Sequence, residues 1–135
     1  ISLLNVEDDK ILQDKKRISV LFNGIADRQV QYYLSACMYL GIINSEKEFT
    51  SNGKILRHLS RTEQEIELAK LILSHEIFAH IYFLEKRLGA KLDRNDVIEI
   101  LKTQVKFDSE EMYKRRSQTV IKWIEWINNN FHDEF

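Results

Sequence analysis

The sequence predicts a mainly α-helical fold with one small β-hairpin, arranged as two units (residues 1–60 and 61–135) that share a long buried helical region. Three observations carry this expectation. Proline is absent from the 135 residues and glycine occurs only four times, so little interrupts helices or builds elaborate loops. Several stretches space apolar residues at i, i+3 and i+4 and open on Ser, Thr, Asp or Asn, the pattern of capped amphipathic helices. One place departs from that pattern. There the β-branched pair Ile42-Ile43, a polar turn from Asn44 to Glu48, and Phe49-Thr50 read as two short strands around a turn.

Composition narrows the function classes. Apolar residues make up 44% and charged ones 30%, which is the balance of an ordinary soluble globular domain. The formal net charge of −1 lacks the basic excess of many nucleic-acid binders, so any such contact must come from a local face. The single cysteine, Cys37, excludes an intramolecular disulfide and fits a reducing, cytoplasmic setting. No apolar run reaches the ~20 residues of a membrane span, because Lys70, His75, Glu76 and His80 interrupt the most apolar region. A membrane partner is therefore not expected. The chain opens Ile1-Ser2-Leu3-Leu4, which suggests a piece of a longer protein.

Along the first half, residues 1–10 read as a lead-in with an acidic cluster. Lys10 to Ile25 reads as an amphipathic helix or two short ones, stopped by Asn23-Gly24. Asp27 is placed to cap a second helix, Arg28 to Leu40. Its expected buried face is Val30, Tyr33, Leu34, Cys37 and Met38. Its expected exposed face is Arg28, Gln31, Tyr32, Ser35 and Tyr39. A short turn followed by a helix with polar and aromatic groups outward is a helix-turn-helix layout. Gly41 closes that helix, and after the hairpin Thr50 or Ser51 caps another that carries Gly53, Ile55, Leu56 and Leu59.

In the second half, Thr62 with Glu65 suggests a capping box. Between Ile66 and Leu88 the apolar residues occupy more than one helical face, as in a buried support or a partner-binding surface. Ser74-His75-Glu76 is a candidate break and Gly89 an end. Asp93 or Asn95 caps the next helix, with Val97, Ile98, Ile100, Leu101 and Val105 inward. The last helix is capped by Asp108 or Ser109, with Glu110 and Glu111 in its first turn, where the helix dipole favours negative charge. Met112, Val120, Trp123, Ile124 and Ile127 form its expected buried stripe. Lys114, Arg115, Ser117, Gln118 and Lys122 form its expected outward face.

The order helix, turn, helix, Leu40-Gly41-Ile42-Ile43, hairpin, Phe49-Thr50-x-x-Gly53-Lys54 resembles winged helix-turn-helix domains over residues 10–60. The hairpin would be the wing. The second half repeats the layout without repeating the sequence. Two pieces, Gln31-Tyr32-Tyr33-Leu34-x-Ala36-x-x-Tyr39-Leu40-Gly41 and Lys114-Arg115-Arg116-x-x-Thr119-Val120-x-x-Trp123-Ile124-x-Trp126-Ile127, resemble the tandem winged-helix recognition regions attached to some type II restriction endonucleases. That resemblance implies duplex DNA binding here, and cleavage by a separate nuclease domain outside this chain.

Catalytic patterns do not assemble. His75 and His80 stand five apart, which turns their rings about 140° from each other on a helix, whereas a zinc-protease pair needs a spacing of four. Cys37 sits on an apolar face, the setting of a small buried hydrophobe. Asp93, Asp96 and Glu99 with Lys102 fall in one turn and helix, whereas two-metal nuclease acids come from neighbouring strands. We therefore expect no catalytic residue, no metal and no cofactor in this segment. Two readings remain. One is a sequence-specific duplex DNA-binding module, the recognition part of a larger restriction-type protein. In it Arg28, Gln31, Tyr32, Ser35 and Tyr39 form the main reading face, with Lys114, Arg115, Ser117, Gln118 and Lys122 on a second. Glu110 and Glu111 oppose deep groove entry by the last helix, which favours the first face for base contacts. The alternative is a protein-interaction or dimerisation domain, with a homodimer built on residues 66–88.

Overall fold

The computed structural model describes residues 27–131. The expected helix between Lys10 and Ile25 and the stop at Asn23-Gly24 lie outside them. The described residues form six α-helices: α1 (Asp27–Tyr39), α2 (Ser51–Arg57), α3 (Arg61–Leu73), α4 (Glu76–Leu88), α5 (Arg94–Gln104) and α6 (Glu110–Asn130). The chain divides into two compact units, Ile1–Leu68 and Ala69–Phe135, with the division falling inside α3.

In the first unit, Val30 and Leu34 of α1 are completely buried, one helical turn apart on the inward stripe. Cys37 and Met38 are half-buried on the same side. Tyr33 departs from expectation: it is 39% exposed. Its neighbour Leu34 takes the centre of the stripe, and the Tyr33 ring leans edge-on to Tyr32 with 5.6 Å between centroids. The helix ends in a Schellman motif. Gly41 N–H donates to Met38 O (3.1 Å) and Ile42 N–H to Cys37 O (2.9 Å), with Gly41 at φ 75°, where a Cβ would be strained.

The expected wing does not form. Among the described residues there is no strand, only one antiparallel bridge between Ile43 and Phe49. The intervening turn confines the pairing to that one bridge. The Asn44 carboxamide oxygen accepts from the N–H groups of Glu46 (2.9 Å) and Glu48 (3.0 Å), and Lys47 sits at φ 62°. Past Phe49 the chain enters α2 at once. Ile42, Ile43 and Phe49 are nonetheless buried, and the backbone bonds from Asn44 N–H to Glu48 O (2.8 Å) and from Thr50 N–H to Ile42 O (3.0 Å) flank the bridge, so packing and these two bonds hold the segment without a regular sheet.

Thr50 and Gly53 fix that segment. The Thr50 hydroxyl donates to Gly41 O (2.6 Å) and accepts from Gly53 N–H (3.0 Å). Thr50 thus caps α2 and ties it to the end of α1. At Gly53 an added Cβ would lie 2.1 Å from Ile42 O. The Phe-Thr-x-x-Gly spacing therefore has a local cause: the threonine caps, and the glycine admits a backbone carbonyl. Gln64, only 1% exposed, donates from Nε2 to Leu56 O (3.0 Å) and so satisfies a carbonyl at the end of α2. The capping box of α3 is Ser60 with Glu63, through two reciprocal bonds of 3.2 Å, and not Thr62 with Glu65. Glu65 instead meets Arg61 at 3.1 Å.

In the second unit α5 packs chiefly against α6, and α4 contacts both. Ser74 and His75 separate α3 from α4. α4 buries Phe78, Ile81 and Tyr82 but exposes Phe83 (51%) and Leu88 (58%). The stretch 66–88 is thus not apolar-and-buried all round; α4 has one buried side and carries two large apolar groups in water. Asp93 caps α5 in a capping box with Asp96, and Ser109 caps α6. Along α6 the buried residues are Tyr113, Ser117, Val120, Ile124 and Ile127. Met112 and Trp123 are half-buried, the Trp123 ring stacking on Phe78 at 5.2 Å.

Candidate nucleic-acid interface

The five side chains expected outward on α1 are all exposed: Arg28, Gln31, Tyr32, Ser35 and Tyr39. At 3.6 residues per turn they fall within about 100° of the helix circumference, opposite Val30 and Leu34. Gln31 Nε2 donates to Ser35 Oγ at 3.0 Å, the i, i+4 pairing that one helical face allows. Tyr32 and Tyr39 are 40% and 45% exposed. From Arg28 to Tyr39 the sequence contains no Asp or Glu.

The face on α6 is different. Lys114, Arg115, Gln118 and Lys122 are exposed, but Ser117 is not. Its exposure is 0%, because it lies four residues after Tyr113 and three before Val120 on the buried stripe. Its hydroxyl donates to Lys114 O (2.7 Å), which satisfies it inside the helix. One of the cations on α6 has acidic company: Glu111 Oε1 lies 4.0 Å from Arg115 Nε. Two other acids of α6 meet cations of neighbouring segments, Glu125 with Lys91 at 4.0 Å and Glu110 with Lys102 at 3.1 Å.

A model of a domain of unknown function, DUF7226, matches residues 1–132. The chain belongs to this family. No curated protein and no solved structure matches it. In this DUF7226 domain, three residues to which sequence reasoning gave no role have definite settings. Tyr113 fastens the α5–α6 turn: its hydroxyl accepts from Phe107 N–H (3.0 Å) and donates to Val105 O (3.1 Å). Gln64 closes α2. Arg116 adds an exposed cation to α6. A tyrosine four residues past the Ser109 N-cap was the only hint of the first, and nothing in the periodicity marked Gln64 as buried.

The remaining candidates have structural settings. His80 Nδ1 accepts from Gln104 Nε2 at 3.1 Å, linking α4 to α5. His75 occupies the N-cap position of α4 without a side-chain cap bond, and its burial pulls the imidazole pKa down. Burial pushes the Cys37 thiol up, which disfavours the nucleophilic thiolate. Among the described residues, no helix is long and apolar enough to cross a membrane.

Proposed function

We propose that this domain is a sequence-reading duplex DNA-binding module, with the exposed face of α1 as its reading surface. The observation that carries the reading is the concentration of Arg28, Gln31, Tyr32, Ser35 and Tyr39 on one acid-free arc. Arg and Gln are the side chains that pair bidentately with guanine and adenine edges, while Tyr and Ser hydroxyls hold phosphates. The Schellman turn and the Thr50–Gly53 fastening support this reading because they fix the helix that would enter the groove. Lys114, Arg115, Gln118 and Lys122 act as a second, mainly phosphate-facing set, weakened by Glu111. The resemblance to recognition regions of restriction endonucleases favours a role as the targeting part of a larger protein whose nuclease is separate.

A second reading, a protein-interaction or dimerisation surface, is favoured by the exposed rings of Tyr32, Tyr33 and Tyr39 and by Phe83 and Leu88. Fluorescence anisotropy of a labelled, partly randomised duplex separates the two. Under the DNA reading, log affinity falls linearly with log salt by about 0.9 per phosphate engaged, and Arg28→Ala weakens binding about tenfold. Absence of binding even at low salt sinks this reading, and light scattering would then look for a dimer.

A further inference from the structure

The Gln31–Ser35 bond has a consequence for which base α1 reads. A primary amide carries two N–H donors and one carbonyl oxygen. Gln31 gives one N–H to Ser35 Oγ at 3.0 Å. One donor and the carbonyl acceptor remain in the amide plane, and with the N–H anti to the oxygen given to Ser35 they stand side by side. In the major groove adenine offers N7 as acceptor next to its N6 donor, whereas guanine offers two acceptors, N7 and O6. The remaining pair of Gln31 matches adenine and leaves one guanine acceptor without a donor. Gln31 also stands one turn after Arg28 in the N-terminal half of α1, the part of a recognition helix that approaches base edges.

From this geometry we infer that Gln31 reads an adenine in the target duplex and that Ser35 is a positioning residue that holds the Gln31 amide in its adenine-reading orientation. The inference rests on the DNA-binding reading and goes beyond it by naming the base and the two residues that select it.

The test selects duplexes from a randomised pool with the full 135-residue chain, as wild type, Gln31→Ala, Ser35→Ala and Ser35→Thr. Anisotropy then measures each protein on the selected duplex and on its single A-to-G variant. The wild type is expected to select adenine at one position and to discriminate against guanine there by about 5- to 150-fold. Gln31→Ala should erase the preference at that position alone. Ser35→Ala should narrow discrimination about twofold, and Ser35→Thr, which keeps the hydroxyl, should restore it. If the wild type binds selectively while Gln31→Ala keeps every preference, the adenine assignment is wrong and the DNA reading stands. If Ser35→Ala leaves discrimination intact, the positioning role is wrong. If the wild type binds no duplex at low salt, both readings fall together.

Discussion

Two buried tyrosines in the second unit carry the same hydroxyl into opposite circumstances. Tyr82 is 1% exposed and its hydroxyl has no hydrogen-bond partner among the described residues, whereas the Tyr113 hydroxyl bridges Phe107 N–H and Val105 O. An unmade buried bond costs stability, and removing the group relieves it. Tyr82→Phe is therefore expected to be neutral or to stabilise by up to about 1 kcal/mol, read from chemical denaturation. Tyr113→Phe should destabilise by about 1–2 kcal/mol, because two backbone groups in the turn lose their partner. Equal losses from both substitutions would contradict this assignment. Ser117 makes a third residue-scale case. Buried and satisfied within its own helix, it should tolerate Ser117→Ala with little change in stability or in DNA affinity, while Ser117→Leu should cost about 1–3 kcal/mol by overpacking.

At the scale of elements, the caps and the close contact at α2 decide how much of the fold holds. Gly53→Ala places a methyl against Ile42 O, a backbone atom that cannot step aside, and is expected to destabilise the first unit by about 1–3 kcal/mol. A thermal midpoint equal to wild type would show that the Thr50–Gly53 fastening is not tight. Glu63 in the α3 capping box accepts from the Ser60 N–H and its own N–H meets the Ser60 hydroxyl; the Ser60 side chain and backbone together lower the carboxyl pKa. A depressed folded-state pKa stabilises above the unfolded value of ~4.3 and loses that contribution as pH falls through the lower folded value. The stability advantage of wild type over Glu63→Gln should accordingly shrink on acidification below about pH 4. A constant difference down to pH 2 would contradict the capping role. These elements also show where the sequence was legible. Ser109, Asp93, Gly41 and Gly89 signalled helix ends through chemistry that acts within a few residues. The wing was misread because β-branched residues signal burial as readily as strand pairing, and the pairing here stops at the one bridge between Ile43 and Phe49.

For the whole molecule, the even balance of charge conceals an uneven placement. From Arg28 to Tyr39 the sequence of α1 holds no acid, while α6 sets Glu111 beside its Arg115. The outward face of α1 was legible because its five residues fall on one arc of an unbroken helix. Ser117 on α6 was not, because a small hydroxyl residue fits a packed stripe as well as a wet surface and only tertiary packing decides. The apolar run 66–88 misled for a related reason: Phe83 and Leu88 count as core in a periodicity reading but stand in water here. The central claim, that α1 is the surface that meets duplex DNA, is tested most directly by titrating the ¹⁵N-labelled chain with a short duplex and mapping amide shifts. Shifts concentrated at Arg28, Gln31, Tyr32 and Ser35 and reversed by added salt are the expected result. Shifts absent from α1, or centred on α4 around Phe83 and Leu88, would contradict the account.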